Sequence, residues 1–192
     1  MTLVRLKRKR PNLKDAEEYL RVGHWGVEKS DYVTPTERRK RLDVLATRLE
    51  AIIKEHVSSV RRLDLAILKC HLVTEFMLNE FIDLMAKSEG ALDEERFTYR
   101  QKELLIHMLG FPLDPLIIPS LDLLNTLRNQ AAHTLSINRD LLDKLIRINS
   151  DYPEGLGELT DVKRVSELKQ ITKSICWRML GTVDALSSLE MQ

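Results

Sequence analysis

Apolar residues recur along most of the chain at intervals of three and four, which is the spacing of one buried face on an α-helix. The pattern is clearest over residues 42–53, 60–84 and 162–186. No segment alternates between apolar and polar residues as a half-buried strand would, and Gly and Pro are few, at 7 and 6. The pattern predicts an all-α fold, an up-and-down bundle of about five to six helices.

Capping residues predict where these helices begin. Thr34-Pro35-Thr36-Glu37 combines a capping threonine, a proline at the first helical position and a glutamate three residues after the cap. Later helices are expected to begin at Ser58 or Ser59, at Asp93, at Pro119, at Asn138 and at Thr160 or Asp161. The helix after Asp93 is predicted to span residues 94–109 and to bury Leu104, Leu105, Met108 and Leu109.

The N-terminal segment differs from the helical part in its charge, so the chain is divided into a basic arm, residues 1–33, and a helical domain, residues 34–192. The arm carries a run of cations without an acid, namely Arg5, Lys7, Arg8, Lys9 and Arg10. Two interpretations remain open: a solvated tail, or an arm that contacts the phosphates of RNA or DNA. The net charge of +1 means that any nucleic-acid affinity depends on such a local patch.

The rest of the composition indicates an ordinary cytoplasmic protein. Of the 192 residues, 43% are apolar, enough for a sizeable core, yet no run of about 18 apolar residues is present to span a membrane. Cys70 and Cys176 both fall in apolar helical patterns and are expected to be reduced core thiols. Neither cysteine has a second ligand at a metal-binding spacing, and no cofactor is predicted.

One short stretch interrupts the apolar pattern with chemically active side chains. It is Arg128-Asn129-Gln130-Ala131-Ala132-His133, in the helix that also carries the core residues Leu121, Leu124, Ala131 and Leu135. Residues four apart on a helix lie about 40° apart, so Asn129 and His133 share a face, whereas Arg128 projects to the side and reaches around. The stretch is either the surface edge of a core helix or half of a site that cuts RNA.

RNA cleavage without a metal needs few parts, and this helix offers them. A histidine can move protons between the 2′-hydroxyl and the leaving 5′-oxygen near neutral pH. An arginine can hold the phosphate and stabilise its developing charge. One chain supplies one His133, whereas a twofold homodimer across this helix would bring two histidines and two arginines into one cleft.

A second polar column is predicted on the long helix at residues 60–84, which precedes the helix of Arg128–His133. There His71 and Glu75 are four residues apart, and Asn79 is one turn further on. This column is either a satisfied polar seam or a set of residues that supports the Arg128–His133 helix. A metalloenzyme built from His71, Glu75 and His107 is a weaker alternative, because no matching motif supplies a third ligand.

The pattern Arg128-Asn129-x-x-Ala132-His133 late in a helical bundle resembles the signature of the HEPN superfamily, in which an arginine is followed after four to six residues by a histidine. Glu75 in mid-helix, and Arg100-x-x-x-Leu104 leading to Leu109-Gly110, also match. The chain is similar as well to the branch of that superfamily containing the mannitol operon repressor. The resemblance covers roughly residues 59–150.

The resemblance implies a dimeric helical bundle that acts as a metal-independent endoribonuclease in toxin–antitoxin systems or phage defence. Arg128 and His133 would be catalytic, Asn129 would orient Arg128 or bind phosphate, and His71 and Glu75 would lie behind them. RNA would be the substrate, and an antitoxin or regulatory protein a possible partner. The alternative is a non-catalytic regulator or scaffold, similar to the mannitol operon repressor.

Overall fold

The apolar pattern forms six α-helices in the described residues of the computed structural model, which are 34–86, 97–109, 115–133, 136–151 and 158–189. The helices are α1 (Pro35–Ile52), α2 (Leu63–Met85), α3 (Tyr99–Met108), α4 (Ile117–His133), α5 (Arg139–Ile148) and α6 (Asp161–Leu189). A π-helical turn, Ile53–Val57, continues α1. No strand occurs within these ranges, so the prediction of an all-α bundle of five to six helices is confirmed.

Three helix starts lie where the capping residues predicted them. The Thr34 hydroxyl accepts a hydrogen bond from the backbone N–H of Glu37 at 3.2 Å, with Pro35 at the start of α1. Asn138 Oδ1 accepts from the N–H of Leu141 at 3.0 Å at the start of α5. The Thr160 hydroxyl accepts from the N–H of Lys163 at 3.3 Å at the start of α6. Each side chain satisfies a donor that the first helical turn leaves open.

Three other starts were predicted wrongly. Ser58 does not cap α2. It ends the π-helical turn, where its hydroxyl donates to the carbonyl of Ile53 at 3.1 Å, and α2 begins at Leu63.

The start of α3 also differs from the prediction. Residues 97 and 98 are not helical, and α3 begins at Tyr99, where Thr98 and Gln101 form a capping box. Asp93 lies outside the described residues. Helix α4 begins at Ile117, two residues before Pro119, because a proline is tolerated anywhere in the first turn.

Helix α2 lies at the centre of the bundle. It packs against α1, α3, α4 and α6, and α4 also packs against α3 and α5. The predicted apolar stripe of α2 is buried throughout: Val60, Leu63, Ile67, Cys70, Met77, Phe81 and Leu84. Cys70 and Cys176 are both buried free thiols, as expected, and burial raises the pKa of the Cys70 thiol to about 11. Burial raises the pKa of Cys176 as well.

The predicted core face of α3 is wrong for Leu104 and Met108 but correct for Leu105 and Leu109, which are partly buried against the core. The helix buries Tyr99, Lys102, Glu103 and Ile106, whereas Leu104 is 52% and Met108 81% exposed. The buried polar residues have partners on neighbouring helices or on α3 itself. The Tyr99 hydroxyl lies 3.1 Å from Thr74 Oγ1, and Lys102 Nζ donates to Glu75 Oε1 at 2.7 Å. These polar contacts decide which face of α3 turns inward.

All described helices belong to one compact unit. None of them combines the length and apolar character that a membrane-spanning helix needs. The basic arm, with Arg5, Lys7, Arg8, Lys9 and Arg10, lies outside the described residues.

Candidate functional site

The Arg128–His133 stretch occupies the last turns of α4, and its side chains divide as the helical spacing requires. Leu121, Leu124 and Leu127 are buried and anchor the helix in the core. Ala131 is partly buried against it, and Leu135 lies outside the described residues. Asn129, Ala132 and His133 are exposed. The helix therefore presents an amide and an imidazole to solvent while its opposite face is fixed in the core.

Arg128 lies at the border between these two faces. It is half-buried, and its Nη1 donates a hydrogen bond to Asn129 Oδ1 at 2.9 Å. A guanidinium has five N–H donors in one plane, so this bond orients Arg128 and leaves donors for an oxyanion. The structure thus brings Arg128 and Asn129 together, with the Asn129 carboxamide oxygen bonded to the guanidinium.

His133 is the last residue of α4 and is exposed. Within the described residues it makes no side-chain hydrogen bond or ion pair with any other residue, including Arg128. An exposed imidazole that the described residues do not hold is able to approach a substrate or a second protomer.

Behind Arg128, five residues from three helices meet at a junction. His71 and Glu75 come from α2, Tyr99 and Lys102 from α3, and Asn125 from α4. We call these five residues the junction cluster. The sequence marked His71 and Glu75 but missed the other three.

His71 links the central helix directly to the helix of the candidate site. Its Nε2 lies 3.3 Å from Asn125 Oδ1, and because a carboxamide oxygen only accepts, His71 donates in this contact. The imidazole is stacked on the Tyr99 ring, with centroids 4.4 Å apart and planes inclined by 27°. The side chain is 3% exposed, so its position is fixed on all sides.

The charges around His71 oppose one another. Glu75 Oε2 lies 4.0 Å from His71 Nδ1, but Glu75 Oε1 is already bonded to Lys102. Burial lowers the pKa of His71 below its ordinary value of 6.5. Glu75 and the bond to Asn125 act in the opposite direction, while the positive charges of Arg128 and Lys102 lower the pKa further. His71 is therefore neutral near pH 7.

These contacts separate the predicted residues into two groups. His71 reaches α4 through Asn125, whereas Glu75 reaches α3 through Lys102, and Asn79 is exposed. A signal for Asn125 was present in the sequence, since it lies four residues before Asn129 on the same face of a helix. Lys102 and Tyr99 gave no such signal, because their partners are 27 and 25 residues away along the chain.

A metal site is not formed by the described residues. Nowhere in them do three His, Cys, Asp or Glu side chains gather closely enough to bind a metal ion. His107 is exposed on α3, whereas His71 is enclosed in the junction cluster. The arrangement of His71, Glu75 and His107 as metal ligands is thus not present.

Comparison of the chain with protein-family models, with curated proteins and with solved structures finds no match.

Proposed function

We propose that this protein is a metal-independent endoribonuclease whose composite site contains Arg128 and His133 from two protomers. On the resemblance to the HEPN superfamily, we propose that it acts as a toxin or phage-defence effector. The observation that most supports this proposal is the geometry of α4. An exposed His133 and an Arg128 held by Asn129 lie on the open flank of a helix whose other face is buried.

Each side chain has a role that follows from its chemistry. His133 takes the proton of the 2′-hydroxyl or returns one to the leaving 5′-oxygen, which an exposed imidazole does near neutral pH. Arg128 donates to the phosphate oxygens as negative charge develops on them. Asn129 keeps the guanidinium in place, and the products are a 2′,3′-cyclic phosphate and a 5′-hydroxyl.

One protomer contributes only one histidine, His133, to the proposed site, whereas this reaction uses a base and an acid in the same turnover. A twofold dimer across α4 supplies both a base and an acid, because each protomer contributes its own His133 to the cleft at the symmetry axis. Exposed leucines on α2, Leu65 and Leu72, carry 39% and 57% of their surface open and offer apolar area for such an interface.

The test is cleavage of single-stranded RNA by the purified protein in the presence of EDTA. We expect products with 2′,3′-cyclic phosphate ends, and no cleavage of the same sequence made with 2′-deoxyribose, which lacks the attacking hydroxyl. His133→Ala and Arg128→Ala are each expected to reduce cleavage by about two to four orders of magnitude, as the loss of a general base or an oxyanion-stabilising group does.

Matched controls distinguish the site from the surface in general. His56→Ala removes another exposed histidine, on the π-helical turn, and Arg39→Ala removes an exposed arginine of α1. Both should cleave RNA like the wild type. Full activity of the His133→Ala variant would exclude the proposed site. Absence of cleavage by the wild type, with weaker self-association of Arg128→Ala, would instead support the alternative of a non-catalytic regulator or scaffold.

A further inference from the structure

The outward face of α3 is more apolar than a solvent-facing helix requires. Leu104 and Met108 lie one turn apart on this face and are 52% and 81% exposed. Single exposed leucines are common, but here the exposed pair replaces Lys102 and Glu103, which are buried. The helix therefore turns a polar pair inward and an apolar pair outward.

Beside this face lies a groove between α3 and the start of α4, with a volume of about 480 Å³. Its lining is formed by Arg100, Glu103, Leu104, His107, Pro115 and Ile118. We call it the α3 groove. Of the six lining residues that the structure describes, three are apolar, so a ligand that fits the groove must bring apolar surface as well as polar groups.

The carboxylate of Glu103 in this groove is only half satisfied. Oε2 accepts a hydrogen bond from Arg100 Nη1 at 2.9 Å, but Oε1 is buried and has no hydrogen-bond partner among the described residues. The Glu103 side chain is 1% exposed. Leaving a buried charged oxygen without a donor is unfavourable, so the Glu103 carboxylate gains from a further positive charge placed near it.

The charges around the groove select the sign of that donor. Arg100 is shared between Glu103 and Asp122 Oδ1, to which it donates at 2.9 Å, so one cation faces two carboxylates. Burial raises the pKa of Glu103, and the negative charge of Asp122 adds to this, while Arg100 lowers it in part. An additional positive group would restore the balance, whereas phosphate or another anion would meet two carboxylates.

We propose that the α3 groove binds a partner protein through a segment in which a lysine or arginine is flanked by apolar side chains. The cationic group lies beside Arg100 against the carboxylates of Glu103 and Asp122, and its apolar neighbours cover Leu104 and Met108. An amine without an apolar flank would leave Met108 uncovered, since this residue extends beyond the groove lining. The proposal does not depend on nuclease activity, because Arg128 and His133 are not part of the groove.

The test is selection of binding peptides from a displayed random library on the full-length protein. We expect the enriched peptides to carry Lys or Arg between Leu, Ile, Val or Met. Glu103→Gln and Met108→Ser are each expected to weaken binding of a selected peptide about tenfold, about 1.4 kcal/mol. Replacing the peptide's own cation with methionine should weaken binding to the wild type equally, which tests the contact without altering the protein.

Two control variants are matched to these changes. Glu50→Gln removes an exposed carboxylate from α1, and Val44→Ser removes an apolar residue that is 69% exposed. Both should bind the selected peptides like the wild type. An empty selection, acidic peptides, or peptides that bind Glu103→Gln as tightly as the wild type would overturn the proposal.

A second copy of the chain is the other occupant to be tested. Met108→Glu places a charge on the apolar face, and sedimentation of this variant shows whether the face joins two protomers. We expect its association state to equal that of the wild type, because the dimer proposed above forms across α4. A Met108→Glu variant that becomes monomeric would overturn the proposal by assigning the face to self-association.

Discussion

His71 is the residue at which burial and charge conflict most directly. It is enclosed by Tyr99 and Asn125, and the nearest charges are Glu75, Lys102 and Arg128. Because burial lowers the pKa of His71 in the folded protein below 6.5, the unfolded chain takes up a proton at higher pH than the folded one does. The stability that neutral His71 contributes is present above pH 6.5 and is lost as the pH falls through the lower, folded-state pKa.

We predict that the free energy of unfolding decreases as the pH is lowered from about 7 to about 5, with a contribution from His71 of at most about 1.4 kcal/mol per pH unit, the value for one proton. His71→Gln keeps an amide donor for Asn125 but does not titrate, so this variant should have a shallower slope. Urea unfolding over a pH series measures the slopes.

His56→Gln is the control for this experiment, since it removes a histidine whose side chain is 46% exposed. Its slope should follow that of the wild type. Parallel slopes for the wild type and His71→Gln would show that His71 binds protons equally in the folded and unfolded states.

At the scale of the helix, the sequence predicts that a helix is present better than it predicts which face of that helix is buried. Starts with a cap directly before the apolar pattern, at Thr34, Asn138 and Thr160, are where they were expected. The buried face of α3 was predicted wrongly at Leu104 and Met108, although Leu105 and Leu109 do pack against the core, because the face of a short helix is chosen by its partners. Bonds from Tyr99 and Lys102 to α2 offset the burial of polar groups.

Helices α5 and α6 are joined by an ion pair whose geometry can be tested. Arg164 donates to both oxygens of Asp143, at 2.7 and 2.8 Å, and these side chains are 10% and 21% exposed. We predict that Arg164→Lys reduces the free energy of unfolding by about 1–2 kcal/mol, since an ammonium keeps the charge but cannot make the paired bonds. Chemical denaturation provides the measurement.

The chain contains a matched pair of the same geometry at the surface. Arg139 donates to both oxygens of Asp161, at 3.0 and 2.8 Å, but these side chains are 59% and 47% exposed. Asp161 Oδ1 also accepts a hydrogen bond from Arg164 Nη1 at 3.0 Å, so the two pairs belong to one network. Arg139→Lys should therefore change the free energy of unfolding much less than Arg164→Lys does. An equal loss in the two variants would mean that burial adds nothing to the Arg164–Asp143 pair.

At the scale of the whole molecule, only the part of the candidate site that lies on one helix was predictable. Arg128, Asn129 and His133 are close in sequence, so helical geometry alone placed two of them on one face. The junction cluster requires α2, α3 and α4 to meet, and that meeting depends on packing that spacing does not encode. The sequence therefore marked His71 without showing that Asn125 connects it to α4.

If the site is composite, two inactive variants should complement each other when they form a dimer. Arg128→Ala retains His133, and His133→Ala retains Arg128, so each variant alone lacks one group in both halves of the cleft. Mixing them with exchange of protomers gives heterodimers, about half of the population for random pairing, in which one arginine and one histidine face each other from opposite chains. We expect RNA cleavage to reappear in the mixture, more slowly than in the wild type, because the one His133 of such a heterodimer must act as both base and acid.

The control mixture combines His133→Ala with a variant that carries both Arg128→Ala and His133→Ala. It contains no His133, so it should remain inactive however the protomers pair. Protomer exchange is followed by labelling one variant with a mass tag, which separates failure to mix from failure to cleave. If exchange is complete and the first mixture stays inactive while the wild type cleaves, one Arg128 and one His133 from opposite chains do not suffice. Cleavage would then require either both His133 side chains or an Arg128 and a His133 of the same chain.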